Sequence, residues 1–225
     1  MIEVQLDSKS YGKKEVLSSF QFKLEAGLIS GIVGKNGAGK TTLFKCLCGL
    51  ENFEGTINSP YELLKDHIGY VPTSPFFLSR MTGLEYLTLV LNARKLPTVA
   101  IADKNIFDLP LHEYASNYST GMKKKLALLG ALLQNNDIFI LDEPFNGVDL
   151  AGNMLIAAII RELKSKGKTI LLSSHIFASL SELTDSIYVL DEGKLSPPVQ
   201  PSEFQALEAE LTPSIKDGIL TNLIP

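Results

Sequence analysis

The sequence has few cysteines, no long apolar run and no excess of positive charge. Cys46 and Cys48 are the two cysteines among 225 residues, too few for a disulfide-rich fold. They lie two residues apart on a predicted helix and point to nearly opposite faces, so they neither pair with each other nor share a metal easily. We expect two small, buried thiols in a reducing compartment.

Segments that would carry the chain into or across a membrane are also lacking. No apolar run approaches the roughly 18 residues that cross a bilayer. Glu3 places a charge where a signal peptide has its apolar segment. We therefore expect a soluble, cytoplasmic chain. Its 21 Lys and Arg against 25 Asp and Glu give a net charge of -4, which offers no basic surface for DNA or RNA. We expect no nucleic-acid partner.

The patterning that is present is typical of an α/β protein. Apolar and polar residues alternate over residues 2–6, and residues 16–24 form a second strand, which predicts an antiparallel sheet near the N-terminus. Apolar strands at 138–141 and 169–173 flank a predicted helix at 152–166. A strand, a helix and a second strand in this order indicate a crossover between parallel strands. The core is therefore predicted to contain a mostly parallel sheet.

A mostly helical subdomain is predicted between these two regions, over about residues 74–133. Apolar residues recur at near-helical spacing over 82–95, and the pattern over 121–133 is clearly helical.

A proline pair at Pro197 and Pro198 ends the patterned region. We expect one domain over residues 1–196 and a short tail over 197–225. The tail contains one short predicted helix, at 203–211.

A glycine-rich loop follows a buried strand predicted at 28–33 and precedes a helix that begins near residue 42. It fits the template G-x-x-x-x-G-K-[ST] at every fixed position. Glycines let backbone N–H groups turn toward phosphates, and the helix N-terminus favours an anion. A chance glycine turn is the alternative, but the flanking strand and helix argue against it. The predicted phosphate-binding residues are Gly34, Lys35, Asn36, Gly37, Ala38, Gly39, Lys40, Thr41 and Thr42.

Two carboxylates, Asp142 and Glu143, follow the apolar strand at 138–141. Open α/β sheets bind ligands at the carboxyl ends of their strands. Asp142 fits a Mg²⁺ contact, and Glu143 fits a general base that polarises the attacking water. A strand followed by an acidic turn is the plain alternative, and the glycine-rich loop upstream makes it less attractive.

The predicted helix after Ser119 begins with three lysines, at 123–125. Cations near a helix N-terminus are disfavoured by roughly 0.3–1 kcal/mol each, so an incoming anion would remove a conflict. The Ser119 hydroxyl and the Gly121 N–H are the predicted donors to a phosphate. A solvated basic face is the alternative.

Taken in order, these elements resemble the ATP-binding cassette (ABC) ATPases over roughly residues 1–195. The resemblance implies a P-loop NTPase core, with an antiparallel β subdomain before it and a helical subdomain inserted in it. It implies that ATP and Mg²⁺ are bound by the loop and by Asp142. It also implies catalytic roles for Lys40, Glu143 and His175, the last as a switch histidine that contacts the γ-phosphate. A packed histidine is the alternative for His175.

Further site residues are implied by the same resemblance. Tyr11 lies where the family stacks an aromatic ring on adenine, and a strand-end aromatic is the alternative. Residues 119–123 resemble the signature motif, with Ser119 and Gly121 kept although the family usually has Leu-Ser-Gly-Gly-Gln. Residues 146–149 resemble the D-loop. Thr73 replaces the usual Q-loop glutamine, so it would contact the metal, beside Thr41 and Asp142, only by closer approach or through a water.

The resemblance implies the ATPase subunit of a membrane transporter. Two cassettes, identical or different, would enclose two ATP, and separate transmembrane permease subunits would hold the dimer at the cytoplasmic face of the membrane. The signature resembles those of exporters. We expect a partner's helix to dock around Phe76, Phe77, Leu78 and Met81, unless these residues fill the core of the insertion. A soluble cassette ATPase of translation or DNA repair is the alternative function.

Overall fold

The computed structural model describes residues 1–211, and within this range it contains nine strands and six α-helices. The strands are β1 (Ile2–Tyr11), β2 (Lys14–Leu24), β3 (Ile29–Val33), β4 (Glu54–Asn58), β5 (Ile68–Val71), β6 (Ile138–Asp142), β7 (Thr169–Ser174), β8 (Ser186–Asp191) and β9 (Lys194–Leu195). The helices are α1 (Lys40–Leu47), α2 (Gly83–Ala93), α3 (Thr120–Leu133), α4 (Leu150–Ser165), α5 (Phe177–Ser181) and α6 (Phe204–Leu211).

The N-terminal sheet is antiparallel, as the alternating pattern predicts, with strand order β2-β1-β4. Ile2, Val4 and Leu6 all lie on its buried face. They share one apolar cluster with Leu43 and Phe44 of α1 and with side chains of the second sheet. The helix after the glycine-rich loop is therefore held by the apolar faces of both sheets.

The second sheet has the order β5-β6-β7-β3-β8-β9, and its first five strands are parallel. The predicted crossover from β6 through α4 to β7 joins two neighbouring parallel strands. Asp142 pairs with Ser173, and Val33 pairs with Ser174, so β3, β6 and β7 end at one edge of the sheet. The segments that directly follow these three strands therefore lie side by side at this edge of the sheet. The predicted α/β architecture is confirmed.

The inserted region contains α2 and α3, which pack against each other. The side chain of Thr82 accepts a hydrogen bond from the Glu85 N–H, and the Glu85 carboxylate accepts one from the Thr82 N–H, so a capping box begins α2. The apolar residues before α2 divide between surface and core. Phe76 is 84% exposed and Leu78 58%, whereas Phe77 is buried against Tyr86 with the ring centroids 4.8 Å apart. Phe77 therefore fills the core of the insertion, whereas docking of a partner around the exposed Phe76 and Leu78 stays a prediction.

Helix α6 begins at Phe204, one residue later than predicted, and buries Phe204 and Leu207 in the main apolar cluster. The rings of Phe204 and Phe177 meet edge to face, 6.0 Å apart. The five-residue helix α5, which contains Phe177, is too short to leave a periodic pattern, and the sequence did not predict it. Residues 212–225 of the predicted tail lie outside the described residues, and the boundary at 196/197 stays a prediction.

Both cysteines are buried and free, as expected. Burial raises the pKa of Cys46 to about 11 and that of Cys48 to about 12. Thiols are nucleophilic and bind metal as thiolates, so these two are inert core residues. None of the helices in residues 1–211 is long and apolar enough to span a membrane.

Candidate functional site

A cavity of about 220 Å³ opens where β3 and β6 end. It brings together most of the glycine-rich loop, both predicted acidic residues and Thr73, which lie far apart in sequence. The lining residues are Val16, Asn36, Gly37, Gly39, Lys40, Thr41, Thr42, Thr73, Asp142 and Glu143.

The loop conformation depends on glycine at two positions. Gly39, the residue before α1, has φ +111°, and a Cβ there would lie 2.6 Å from Cδ2 of Leu17. Gly34 starts the loop, where a Cβ would lie 2.3 Å from the carbonyl oxygen of Leu190. Any larger residue would move the loop away from β2 or β8. The motif therefore sets how closely the loop lies against both sheets.

Lys40 is buried inside the loop that precedes it. Its Nζ donates to the carbonyl oxygens of Gly34, at 2.6 Å, and Lys35, at 3.2 Å, and lies 3.5 Å from Oε1 of Glu143. A buried ammonium needs such partners, since its desolvation is costly. The lysine is thus held at the wall of the cavity, between the loop and the acidic pair.

Asp142 is fully buried and accepts two hydroxyl hydrogen bonds. Thr41 Oγ1 donates to Oδ2 at 2.5 Å, and Ser173 Oγ donates to Oδ1 at 2.7 Å. Within residues 1–211 no group of three or more His, Cys, Asp or Glu side chains has the geometry of a metal site. One carboxylate with a neighbouring hydroxyl is nevertheless the donor set that suits Mg²⁺, which keeps several waters and takes further oxygens from phosphates.

Glu143 has an unusual backbone and one carboxylate oxygen without a hydrogen bond. Its φ is +52°, a left-handed value that is uncommon for residues other than glycine. Oε2 lies 2.8 Å from Nδ1 of His175, whereas the buried Oε1 has no hydrogen-bond partner. Oε1 therefore has the Lys40 ammonium nearby but no hydrogen bond, which leaves its acceptor capacity unused. His175 itself does not line the cavity, and it approaches it through Glu143.

Two residues that sequence reasoning missed hold the Glu143 peptide. Its N–H donates to Ser173 Oγ at 3.0 Å, and its carbonyl oxygen accepts from Nζ of Lys124. A serine near a strand end is too common to stand out. The signal for Lys124 is the run of three lysines, which by itself predicts contact with an incoming anion or a solvated basic face.

The three lysines of α3 require a correction. Lys124 is buried on Glu143, and Lys125 pairs with Oδ1 of Asp149 at 2.7 Å. Two of the cations therefore have partners within the chain, and no external anion is needed to explain them. Ser119 does cap the helix as predicted, accepting from the Met122 N–H at 3.2 Å.

Ser119 and Gly121 do not line the cavity of their own chain. Ser119 is exposed, and a Cβ at Gly121 would lie 2.9 Å from the carbonyl oxygen of Gly147, so the start of α3 packs against the segment before α4. Tyr11 also lies outside the cavity lining. It is 45% exposed at the end of β1, with Nζ of Lys9 4.6 Å from its ring centroid.

The fold and this cavity define a P-loop nucleotide-binding domain, in which a glycine-rich loop between a parallel strand and a helix faces a buried carboxylate. Residues 17–146 match the family described as ABC transporter. The chain belongs to this family, and it is an ATP-binding subunit with the ATPase activity of the family.

Individual relatives agree with this assignment. The bacitracin transport ATP-binding protein BcrA of Enterococcus faecalis is 30% identical over 97% of this chain and 75% of its own length. The lantibiotic transport ATP-binding protein SrtF of Streptococcus pyogenes is 33% identical over 87% of this chain and 89% of its own. The manganese transport protein MntB of Bacillus subtilis is 34% identical over 87% and 86%.

Solved structures give the same result. An ATP-binding subunit of an ABC transporter superposes with a TM-score of 0.80 at 27% identity, over 95% of this chain and 100% of the other. The cassette MJ0796, solved as a dimer with ADP and Pi, has a TM-score of 0.77 at 18% identity, over 89% of this chain and 99% of its own. This second likeness shows the fold alone.

The two hydrogen bonds of Ser173 generate a stability prediction. Ser173→Ala leaves a buried N–H of Glu143 without its acceptor and removes one donor from Asp142, so we expect the free energy of unfolding to fall by about 1–3 kcal/mol. Urea denaturation measures this. The control is Ser165→Ala, at an exposed serine that bonds the Glu162 carbonyl, with an expected change within about 0.5 kcal/mol. Equal effects of the two substitutions would contradict the assigned role of Ser173.

Proposed function

We propose that this chain is the ATPase subunit of an exporter, that it works as a dimer around two ATP, and that Glu143 is its catalytic carboxylate. The observation that carries the catalytic part is Oε1 of Glu143, which makes no hydrogen bond, lies 3.5 Å from Nζ of Lys40 and belongs to a residue that lines the same cavity as Lys40 and Asp142. The names of the relatives support a function in transport.

In this proposal the loop binds the phosphates through its backbone N–H groups, and Lys40 leaves its loop carbonyls to neutralise them. Thr41 and Asp142 hold Mg²⁺, which supplies charge neutralisation at the phosphates when bound. The Thr41–Asp142 hydrogen bond supports this assignment, because it already places the two oxygens together. Thr73 lines the same cavity and supplies a weaker oxygen contact, direct or through a water.

Glu143 has the surroundings of a general base. Its side chain is buried, and Oε2 is occupied by His175. Oε1 is left to accept the proton of the attacking water. His175 keeps the carboxylate oriented and, by the family resemblance, extends to the γ-phosphate. Tyr11, one ring face covered by Lys9, offers its other face to adenine.

Replacing the proposed base tests the catalytic role. Glu143→Gln keeps the shape but removes the proton acceptor, so we expect ATP hydrolysis to fall by roughly 10² or more while ATP binding persists. Phosphate release and calorimetric ATP binding measure the two effects. The control is Glu162→Gln, on the exposed face of α4, which should hydrolyse at the wild-type rate. Normal turnover in Glu143→Gln would rule out the assignment.

Dimerisation is supported by the position of the signature residues. Ser119 is exposed at the start of α3, where helix N–H groups suit a phosphate, and both Ser119 and the buried Gly121 lie outside the cavity of their own chain. A second copy, or a related cassette, facing this surface would put them on the partner's nucleotide. Each ATP would then be held by Lys40 of one chain and Ser119 of the other.

Mixing two inactive variants tests this arrangement. Ser119→Arg damages the partner's site and Lys40→Ala damages its own, so a heterodimer concentrates both lesions in one composite site and keeps the other intact. We expect hydrolysis to return on mixing, measured after native mass spectrometry has shown heterodimers. Each variant mixed with itself is the control. If heterodimers form without activity, cross-linking with a photoreactive ATP analogue tests the shared site directly. Absence of cross-links to the partner's 119–123 region contradicts a shared site.

Export through separate membrane subunits is supported by three observations. The signature around Ser119 resembles those of exporters, two relatives are named for bacitracin and lantibiotic transport, and Phe76 and Leu78 expose apolar surface on the insertion. Exposed apolar residues that lie together on a surface commonly mark a binding site. The dimer would be held at the cytoplasmic face of the membrane through this segment.

Substitution of the most exposed phenylalanine tests the docking surface. Phe76→Ser should reduce recovery of membrane subunits with the tagged protein from detergent extracts by about thirtyfold, since an anchor side chain at an interface contributes about 2 kcal/mol. Quantitative mass spectrometry measures the recovery. Val99→Ser, at an equally exposed apolar position of the insertion, is the control and should recover them normally. Undiminished recovery with Phe76→Ser would place the docking surface elsewhere.

A further inference from the structure

Lys124 contacts neither the cavity nor the surface, yet it is bonded to the residue proposed as the base. We propose that Lys124 is a positioning residue, which links the helix of the signature motif to Glu143 by holding the Glu143 backbone in its left-handed conformation. The inference rests on the proposed function of Glu143 and goes beyond it.

The burial of Lys124 is the first argument. The residue is 2% exposed, among the apolar side chains of α3, and its Nζ donates to the carbonyl oxygen of Glu143. Burial lowers its pKa, with Glu143 and Asp142 acting in the opposite direction. Burying an ammonium costs several kcal/mol before its contacts are counted, and an apolar side chain of the same volume avoids that cost. Core packing alone therefore does not account for a lysine here.

The backbone of Glu143 is the second argument. A residue other than glycine in the left-handed region costs about 1–3 kcal/mol and persists when its surroundings hold it there. Here the peptide groups on both sides are held: the N–H by Ser173 Oγ and the carbonyl oxygen by Lys124. The φ value of Glu143 sets the direction of its Cα–Cβ bond and so the place of Oε1. Releasing the carbonyl lets the turn relax and moves the carboxylate.

The third argument is where Lys124 is attached. It lies five residues after Ser119, about 7.5 Å along the same helix at 1.5 Å per residue. The next residue, Lys125, pairs with Asp149 at 2.7 Å. The start of α3 is therefore tied to the base and to the segment before α4. Contact of Ser119 with the partner's nucleotide would shift the start of α3. Because Lys124 lies on the same helix, this shift would move the hydrogen bond that Lys124 makes to Glu143.

The first experiment compares the rate and the affinity for ATP. Lys124→Met keeps the length and volume but removes the donor, so we expect kcat to fall about tenfold or more while KM stays within about threefold, because misplacing a catalytic group lowers turnover strongly. Lys124→Gln keeps an N–H donor and should recover to within about threefold of the wild type. The matched control is Lys168→Met, which removes the lysine partner of Asp137 at the other end of β6 and should keep wild-type kcat.

The second experiment is a double-mutant cycle with Glu143→Gln. If Lys124 acts through the base, Lys124→Met should change the residual hydrolysis of Glu143→Gln by less than about twofold. The inference is overturned if Lys124→Met alone keeps kcat within about twofold of the wild type, if the two losses multiply, or if Lys124→Gln is as slow as Lys124→Met.

Two further readouts keep the outcomes distinct. Normal hydrolysis by Glu143→Gln itself contradicts the proposed function, whatever Lys124 does, whereas a slow Glu143→Gln with a normal Lys124→Met contradicts this inference alone. Circular dichroism melting checks folding. Should Lys124→Met not fold, Lys124→Leu takes its place in the cycle, and equal kcat in the Leu and Gln variants overturns the inference.

Discussion

The buried carboxylate of Asp142 is the group on which the arrangement of the site depends. A fully desolvated carboxylate costs several kcal/mol unless hydrogen bonds compensate it. Its two donors come from different elements, Thr41 on α1 and Ser173 on β7. These bonds form only when β6, β7 and the loop before α1 end at the same level, which the parallel register provides. The hydrogen bonds that stabilise this edge of the sheet therefore also bring the glycine-rich loop and the two acidic residues together.

One residue further, the chain changes from a regular strand to a conformation that is costly for glutamate. The left-handed φ of Glu143 directs its carboxylate back over the cavity, toward Lys40 and His175. Ser173 serves both acidic residues, accepting from the Glu143 N–H while donating to Asp142. The site thus combines a carboxylate whose two oxygens both accept hydrogen bonds, Asp142, with a neighbouring carboxylate held on a strained backbone, Glu143. Such strain persists only where several contacts oppose relaxation.

The residues that the sequence could not place are those whose roles depend on distant parts of the chain. Lys123, Lys124 and Lys125 are consecutive and chemically identical, but helix geometry turns Lys124 into the core and Lys125 toward Asp149. The neighbours Phe76 and Phe77 divide in the same way between solvent and core. The three lysines are the same residue type, as are the two phenylalanines, and only their packing in the fold distinguishes them. The short helix α5 is likewise stabilised by Phe177 against Phe204, a contact that local pattern does not contain.

The sequence by itself determined the class of the fold, the phosphate-binding loop and the acidic strand end, because each depends on local rules: glycine conformations, strand and helix periodicity, and the fixed spacing of a loop between them. Those predictions of fold and family are confirmed by the sheet topology and by the relatives. Tertiary structure alone decided that Ser173 bridges the two acidic residues, that Lys124 holds the Glu143 backbone, and that Ser119 and Gly121 lie outside their own cavity. These facts depend on the register of β6 against β7 and on the packing of α3, which arise from contacts between residues far apart in the chain.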